Sequence, residues 1–314
     1  MSSFNRNLSG KEIFSALFVV VLWGLNFVPT KVALNDFTPF QLGAGRFLLA
    51  AIPLVFFVKF PKVPFLWMLL YVVSQGIGQF SLLFFALQLG ATAALVSVLM
   101  QVQIFFTAFI GAMWLGESIS TALKFGMGIA GIGLACFGFN IIVDGNSNDA
   151  SWLGVLLVLA AAAMWAFSNI VVKKIHMSSP TCTPLALIVW SSLWSGIGFL
   201  LISVLIDPLA TPLVGLGQVS ILSWLSLIYL AWIASGLAYW LWTSLLTVHP
   251  ASRIAPFSLG IPIVGLLAGI YILDEKVSTI QWIGVTFVMM SLIFVVLSGR
   301  LRMGRMSRRY RREL

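Results

Sequence analysis

The sequence predicts an all-α polytopic membrane protein, ten transmembrane helices arranged as two inverted five-helix repeats. Three observations carry that prediction. Of the 314 residues, 60% are hydrophobic and 9% charged, whereas a soluble domain carries roughly 25% charged residues, so too few charges remain to cover a water-facing surface. The apolar residues collect into ten runs, each near the ~20 residues that a helix needs to cross about 30 Å of hydrocarbon. The two halves of the chain also match each other at a fixed interval.

The elements follow in order. A short segment, 1–12, precedes the first run, 13–34, which is too long for a signal peptide's apolar region and reads as a retained helix. Asn35-Asp36 separates it from 39–58, and Pro61-Lys62-Val63-Pro64 precedes 65–89. Runs 93–115 and 119–142 complete a first repeat, 13–142. A polar connector, 143–151, leads to 152–175, 184–206, 222–247, 251–273 and 278–299, with breaks at Pro180 to Pro184 and Asp207-Pro208. These form a second repeat, 152–299, followed by a basic tail, 300–314.

Lysine and arginine set the orientation, because they accumulate in cytoplasmic loops. With both termini inside, the inner side holds Arg6, Lys11, Lys59, Lys62, Lys124, Lys173, Lys174, Arg253 and the arginines from Arg300 to Arg312. The outer side holds only Lys31 and Lys276, together with Asp36, Asp144, Asp149, Asp207, Asp274 and Glu275. The net charge of +9 is therefore an orientation signal. The tail is placed to touch anionic inner-leaflet lipid, and no nucleic-acid partner is expected. Two cysteines, Cys136 and Cys182, match neither a disulfide framework nor a zinc-ligand spacing. No cofactor or metal is expected.

The duplication is direct. The stretch around Trp23 lines up with that around Trp165, placing Lys31 over Lys173, and residues 93–117 overlay 251–275 at a constant offset of 158. Five spans is an odd number, so the second copy lies upside down. Inverted repeats of this kind let one half of a carrier rock against the other around a midplane site.

These residues resemble the EamA-type branch of the drug/metabolite transporter superfamily, and within it the O-acetylserine/cysteine exporters of bacterial inner membranes. The resemblance covers almost the whole chain and rests on "WGLNF" with Lys31, "RF" at Arg46, "PKVP" at Pro61, "QF" at Gln79, "QVQIFFTAFIGAMWLGE", "NIVVKKI" at Asn169, "VIW" at Trp190, "RIAPFSLGIPIVGL" and "LDE" at Glu275. It implies a ten-helix carrier in a bacterial inner membrane, with 143–151 periplasmic. Spans 1 to 4 and 6 to 9 would surround a cavity, and spans 5 and 10 would lie at the periphery. The implied cargo is a small amphipathic amino acid or similar metabolite, cysteine and O-acetylserine in particular. A broader, proton-coupled drug or metabolite exporter is the alternative, and a monomer or weak homodimer is the expected state.

Polar side chains at membrane depth are costly and mark candidate sites. Gln75 and Gln79 share a helix face, as do Trp165 and Asn169, and Trp23 and Asn26 hold the matching place in the first repeat. These clusters are expected to approach across the pseudo-symmetry axis, either touching substrate or bonding helix to helix. Gln101 and Gln103 point about 200° apart around their helix, so one lines a cavity and the other packs. Tyr239 forms an i, i+4 pair with Thr243 on span 8. Arg46, the only charge well inside a span, either holds a substrate carboxylate bidentately or pairs with a carbonyl or Asp36. Lys31, Lys173, Pro256 and Pro262 are candidate gate or hinge positions. Most of the twelve tryptophans are expected to be interfacial anchors.

Other patterns are decoys. Gly126, Gly128 and Gly131 spell GxGxxG inside an apolar span with no preceding strand, so they read as helix-packing positions, like Gly265 and Gly269. Asp274-Glu275 reads as a water-exposed turn, and His176 and His249 as solvated loop ends. The chain shows no nucleophile-base pair and no Walker motif, so neither an enzyme nor a primary pump is expected.

Overall fold

A computed structural model describes residues 8–116, 119–144, 152–207, 218–249 and 254–313. Arg6, Glu117, Asp149, Pro208 and Arg253 lie outside them. Among the described residues every regular element is helical. In chain order these are α1 (Gly10–Ala33), α2 (Pro39–Val55), α3 (Phe65–Gln88), α4 (Ala93–Leu115), α5 (Thr121–Asp144), α6 (Trp152–Ser178), α7 (Pro184–Ile206), α8 (221–248), α9 (255–272) and α10 (Thr279–Glu313). Eight are long and apolar enough to cross a membrane, and Pro39–Val55 and Phe257–Ile272 are shorter apolar helices.

Helix starts follow local chemistry. Ser9 and Thr38 open α1 and α2 with capping boxes closed by Glu12 and Gln41, while Thr92, Thr183 and Ser220 cap α4, α7 and α8. A side-chain oxygen there takes a backbone N–H that has no partner inside the helix. Helix interiors are interrupted, and in two helix pairs the interruptions match. α1 breaks at Asn26, three residues before Pro29, whose ring cannot pack against the carbonyl of Leu25. α3 and α8 each widen into a π-helix, Val72–Gly78 and Tyr229–Leu237. α4 and α9 each tighten into a 3-10 turn, Met100–Val102 and Ala255–Leu259.

Carbonyls released by these breaks are taken up by neighbouring indoles and hydroxyls. Pro53 frees the Leu49 carbonyl, which accepts from Trp232 Nε1 at 3.0 Å. Trp23 Nε1 donates to Ala234 O at 3.0 Å, and the Tyr229 hydroxyl donates to Leu22 O at 2.7 Å. Trp190 Nε1 reaches Val58 O, just past the end of α2, at 3.0 Å. These three indoles are interhelical cross-links rather than free interfacial anchors, because a buried unpaired carbonyl in lipid is costlier than a displaced tryptophan.

α5 and α10 pack mainly on each other, as do α2 and α7, while α3 lies on α6, α1 on α8, and α9 on both α1 and α4. The apolar stretch of α5 is 22% buried, against 61% for that of α4, so α5 is peripheral and α4 central. Close approach depends on glycine at many points, two of which show the scale. A Cβ on Gly133 would stand 2.8 Å from Gly284 O, and one on Gly265 would stand 2.8 Å from Ser97 Oγ. Gly126 abuts Val295, but Gly128 and Gly131 face open space, so two of the three glycines in the GxGxxG pattern are not packing positions.

The two ends of the bundle are tied differently. At the end holding residues 34–38, 89–92, 207, 218–220 and 273–278, Thr38 Oγ1 donates to Asp207 at 2.6 Å, and the Ser220 hydroxyl donates to Asp36 at 2.6 Å. Lys31 pairs with Glu275 at 2.8 Å at this same end. At the opposite end, buried His249 stands 3.0 Å from Glu12, and Phe60 packs edge-on against Trp190.

Candidate functional site

Arg46 sits on α2, whose capped start and apolar stripe turn this residue toward α3, α7 and α8. Only 4% of the residue is exposed, and Nε and Nη1 are buried without a hydrogen-bond partner. The guanidinium lies over the Phe80 ring, 4.5 Å from its centroid. Asp36 does not pair with it. That carboxylate is held instead by the Ser220 hydroxyl and backbone N–H. The alternative of an Arg46–Asp36 pair is thereby excluded, because Asp36 points along the bundle end toward α8.

Around Arg46 lies a small chamber of about 50 Å³ lined by Tyr71, Gln75, Ser191, Ser192, Ser195 and Tyr239, among others. It shares Ile188, Ser192, Ser235 and Tyr239 with a larger cleft of about 530 Å³ between α2, α7 and α8. The cleft is otherwise walled mainly by apolar groups from Ala50, Leu54, Leu185 and Trp240. The local sequence explains the opening: α8 is π-wound at Tyr229–Leu237, and Ser235 and Gly236 place no bulky side chain there. A chamber with one buried cation and several hydroxyls is built to receive an anion, and an adjoining apolar cleft receives a hydrophobic body.

The remaining predicted residues fall into two further networks. Asn169 Nδ2 donates to Gln103 Oε1 at 3.1 Å and to Thr107 Oγ1 at 3.2 Å, joining α6 to α4. Trp165 packs on the main core, and the Ser168 hydroxyl stands 2.7 Å from its carbonyl and 2.6 Å from Gln75 Oε1, with one proton to share between them. Trp23 stacks edge-on against Tyr239, with centroids 5.0 Å apart, and so carries α1 to the wall of the Arg46 chamber. Asn169 thus bonds to α4 and not to Asn26. Asn26 Oδ1 and Gln79 Oε1 are each buried with no hydrogen-bond partner, and Gln101 is buried in the 3-10 turn of α4.

The gate candidates separate. Lys31 Nζ meets Glu275 Oε1, and the same carboxylate accepts from the backbone N–H groups of Ala93 and Ala94 at 2.8 and 2.9 Å. Glu275 is therefore not in a water-exposed turn: its side chain is 4% exposed and caps the start of α4, where helix-end partial charge favours an anion. Lys173 is exposed on the last turns of α6. Pro262 is buried and its carbonyl accepts from the Ser97 hydroxyl, whereas Pro256 lies in the 3-10 turn of α9. His249 is likewise not a solvated loop end, since its side chain is 1% exposed and faces Glu12.

Sequence reasoning did not single out Tyr71, Ser191, Ser192, Ser195 or Ser235. Ser191, Ser192 and Ser195 fall on one side of α7, and that spacing was the available signal.

A helical bundle with apolar exteriors and eight helices long and apolar enough to span a bilayer marks a multi-pass membrane protein. The chain belongs to the EamA-like transporter family, whose model matches residues 10–139 and 152–297. It is 39% identical over 297 residues to a protein of Escherichia coli K12 described as a probable amino-acid metabolite efflux pump, covering 94% of this chain and 98% of that protein. A protein of Salmonella typhimurium with the same description is 39% identical over 300 residues, covering 94% and 98%. Protein PecM of Dickeya dadantii is 24% identical over 280 residues, covering 89% of this chain and 90% of that one. A solved crystal structure, 17% identical, covers 93% of this chain and 99% of its own with a TM-score of 0.62, which shows a shared fold.

Proposed function

We propose that the protein is a secondary carrier that exports small amino acids or related carboxylate metabolites across a bacterial inner membrane by alternating access, cysteine and O-acetylserine being the cargo its sequence resembles. The observation that carries this reading is Arg46, a cation buried without a partner in a chamber that communicates with a cleft. An unpaired buried charge is expensive to keep in a fold that does not use it.

Two inverted five-helix repeats, 13–142 and 152–299, supply the machinery. Support comes from the matching interruptions in α3 and α8 and in α4 and α9. The density of Lys and Arg makes the Glu12–His249 end cytoplasmic. The cleft occupies the half of the bundle next to that end, while Lys31–Glu275, Asp36–Ser220 and Thr38–Asp207 close the other. This is the arrangement of an exporter waiting to load from inside. The tail, 300–314, would rest on anionic lipid.

Counterflow of labelled amino acids in proteoliposomes, with Arg46→Gln beside the parent, tests the reading. The expected result is a folded variant with counterflow reduced at least about tenfold, the order of a lost charge-assisted contact. A folded Arg46→Gln protein with parental kinetics removes Arg46 from the site and the reading with it. A second reading, proton-coupled efflux of a wider range of solutes, is favoured by buried His249 standing 3.0 Å from the half-buried Glu12. It predicts that an imposed pH gradient drives net uptake.

A further inference from the structure

An amino acid brings two charges into the chamber, and Arg46 answers only the carboxylate. Among the described residues no carboxylate lines the chamber or the cleft, so the ammonium has to be met by a neutral acceptor. An ammonium left without one at this depth would offset much of what Arg46 contributes. Gln75 is the one side-chain amide in the chamber lining, where the other neutral polar groups are hydroxyls. Those of Ser191 and Ser235 already donate to Ile188 O and Leu230 O.

The winding of α3 places Gln75 beside Arg46. Tyr71, Gln75, Gly76 and Phe80 all line the chamber, at intervals of four to five residues. In an α-helix, residues five apart diverge by about 140° around the axis. In the stretch Val72–Gly78, wound as a π-helix with i→i+5 hydrogen bonds, such residues come round to one side. Gln75 therefore stands one turn from Phe80, the ring whose centroid lies 4.5 Å from the Arg46 guanidinium.

Ser168 sets which end of the Gln75 amide faces the chamber. Its hydroxyl has a single proton and stands 2.6 Å from Gln75 Oε1 and 2.7 Å from Trp165 O. With Oε1 toward Ser168, that proton goes to Gln75 and the amide nitrogen is left for the chamber, which suits an anion alone. With the amide turned over about its last bond, Ser168 donates to Trp165 O and accepts from Gln75 Nε2, and the contact lengthens to about 2.9 Å, the usual N–H···O separation. Oε1 then faces the chamber. The turn leaves the Ser168 hydroxyl fully bonded, so the amide follows the charge of the cargo. Resting on the export reading above, we infer that Gln75 is the ammonium-binding residue of this carrier: its turned Oε1 accepts from the α-ammonium while Arg46 holds the carboxylate. The other ammonium hydrogens meet lone pairs of the α7 hydroxyls, and the cargo's side chain lies in the cleft between α2, α7 and α8.

The test uses the full chain in proteoliposomes. Counterflow of labelled L-cysteine, kept reduced, and of labelled L-phenylalanine is competed with the unlabelled amino acid and with its des-amino analogue, 3-mercaptopropionate or 3-phenylpropionate. The parent is expected to prefer each amino acid about tenfold over its analogue, the order of one hydrogen bond to a charged group. Gln75→Met keeps the length of the side chain and removes the acceptor. It is expected to abolish the preference by weakening the amino acid, while the inhibition constant of the analogue stays parental. Loss of packing alone would weaken both together.

An analogue that competes as well as its amino acid in the parent overturns the inference and leaves the export reading standing, and this measurement needs no variant to fold. A folded Gln75→Met protein that keeps the parental preference, at parental or reduced affinity, overturns it as well and passes the ammonium to the hydroxyls. Failure of both amino acids to exchange above protein-free liposomes removes the export reading itself, and the inference with it.

Discussion

Glu275→Gln removes one charge from a buried position while keeping its size and one acceptor oxygen. In the parent, the two oxygens accept from Ala93 N and Ala94 N at 2.8 and 2.9 Å, and one also meets Lys31 Nζ at 2.8 Å. Hydrogen bonds to a charged group contribute about 1.5–3 kcal/mol each, against about 1 kcal/mol for neutral ones. Glutamine keeps one neutral bond to the helix start and turns its amide nitrogen toward the other N–H, so the loss is about 3 kcal/mol. Lys31 contributes less, because its side chain is 32% exposed and a partly solvated ion pair contributes at most about 1 kcal/mol. A double-mutant cycle with Lys31→Met, read by chemical unfolding in detergent, should therefore give Glu275→Gln as the larger single effect and a coupling of about 1 kcal/mol or less. The helix-capping argument is wrong if Glu275→Gln unfolds within about 0.5 kcal/mol of the parent, the scatter expected at uninvolved surface sites. It is also wrong if Lys31→Met alone accounts for the whole loss.

Glycine substitutions should separate packed from open positions. A Cβ on Gly269 would stand 2.7 Å from Ala94 N and collide with Glu275 Oε2, whereas one on Gly128 meets nothing within 4 Å. Gly269→Ala is expected to destabilise by about 1–3 kcal/mol through overpacking; Gly128→Ala should leave the protein as stable or up to about 1 kcal/mol more so. Equal unfolding midpoints for the two variants would contradict the packing. Asp36, in the α1–α2 connector, gives a pH signature. Its carboxyl is held below the ordinary value, chiefly by the Ser220 hydroxyl and further by Ser223 and the Ser220 N–H. A depressed folded pKa gives stabilisation that is complete above the unfolded value of about 3.9 and is lost as pH falls through the folded value. The stability difference between the parent and Asp36→Asn should thus be constant at neutral pH and shrink only in stronger acid. A difference that grows on acidification would reverse the assignment.

Much of the fold was legible because lipid imposes local rules. Run length, loop charge and cap residues such as Thr38, Thr92 and Thr183 are properties of short stretches, and the helices start where those residues stand. Arg46 was legible as a candidate for the same reason: a charge at that depth has to be explained wherever its neighbours lie. Its solitude was not legible, since Asp36 is close in sequence yet bonds across the bundle to Ser220. Glu275 and His249 were misplaced as solvated because their partners, Ala93 and Glu12, lie far along the chain. Gly128 and Gly131 belong to a motif whose spacing fits packing, yet α5 offers that face to open space.

The sequence by itself pointed to a multi-pass membrane chain and to two similar halves, because hydrophobic length and repetition need no partner to be read, and the family model matches it twice, over 10–139 and 152–297. Only the tertiary structure decided that Arg46 stands unpaired beside an apolar cleft, and that one carboxylate ties α1, α4 and α9 together. Those facts depend on which helix faces serve as neighbours. Neighbours are chosen by packing across the whole bundle, from contacts between residues up to hundreds of positions apart.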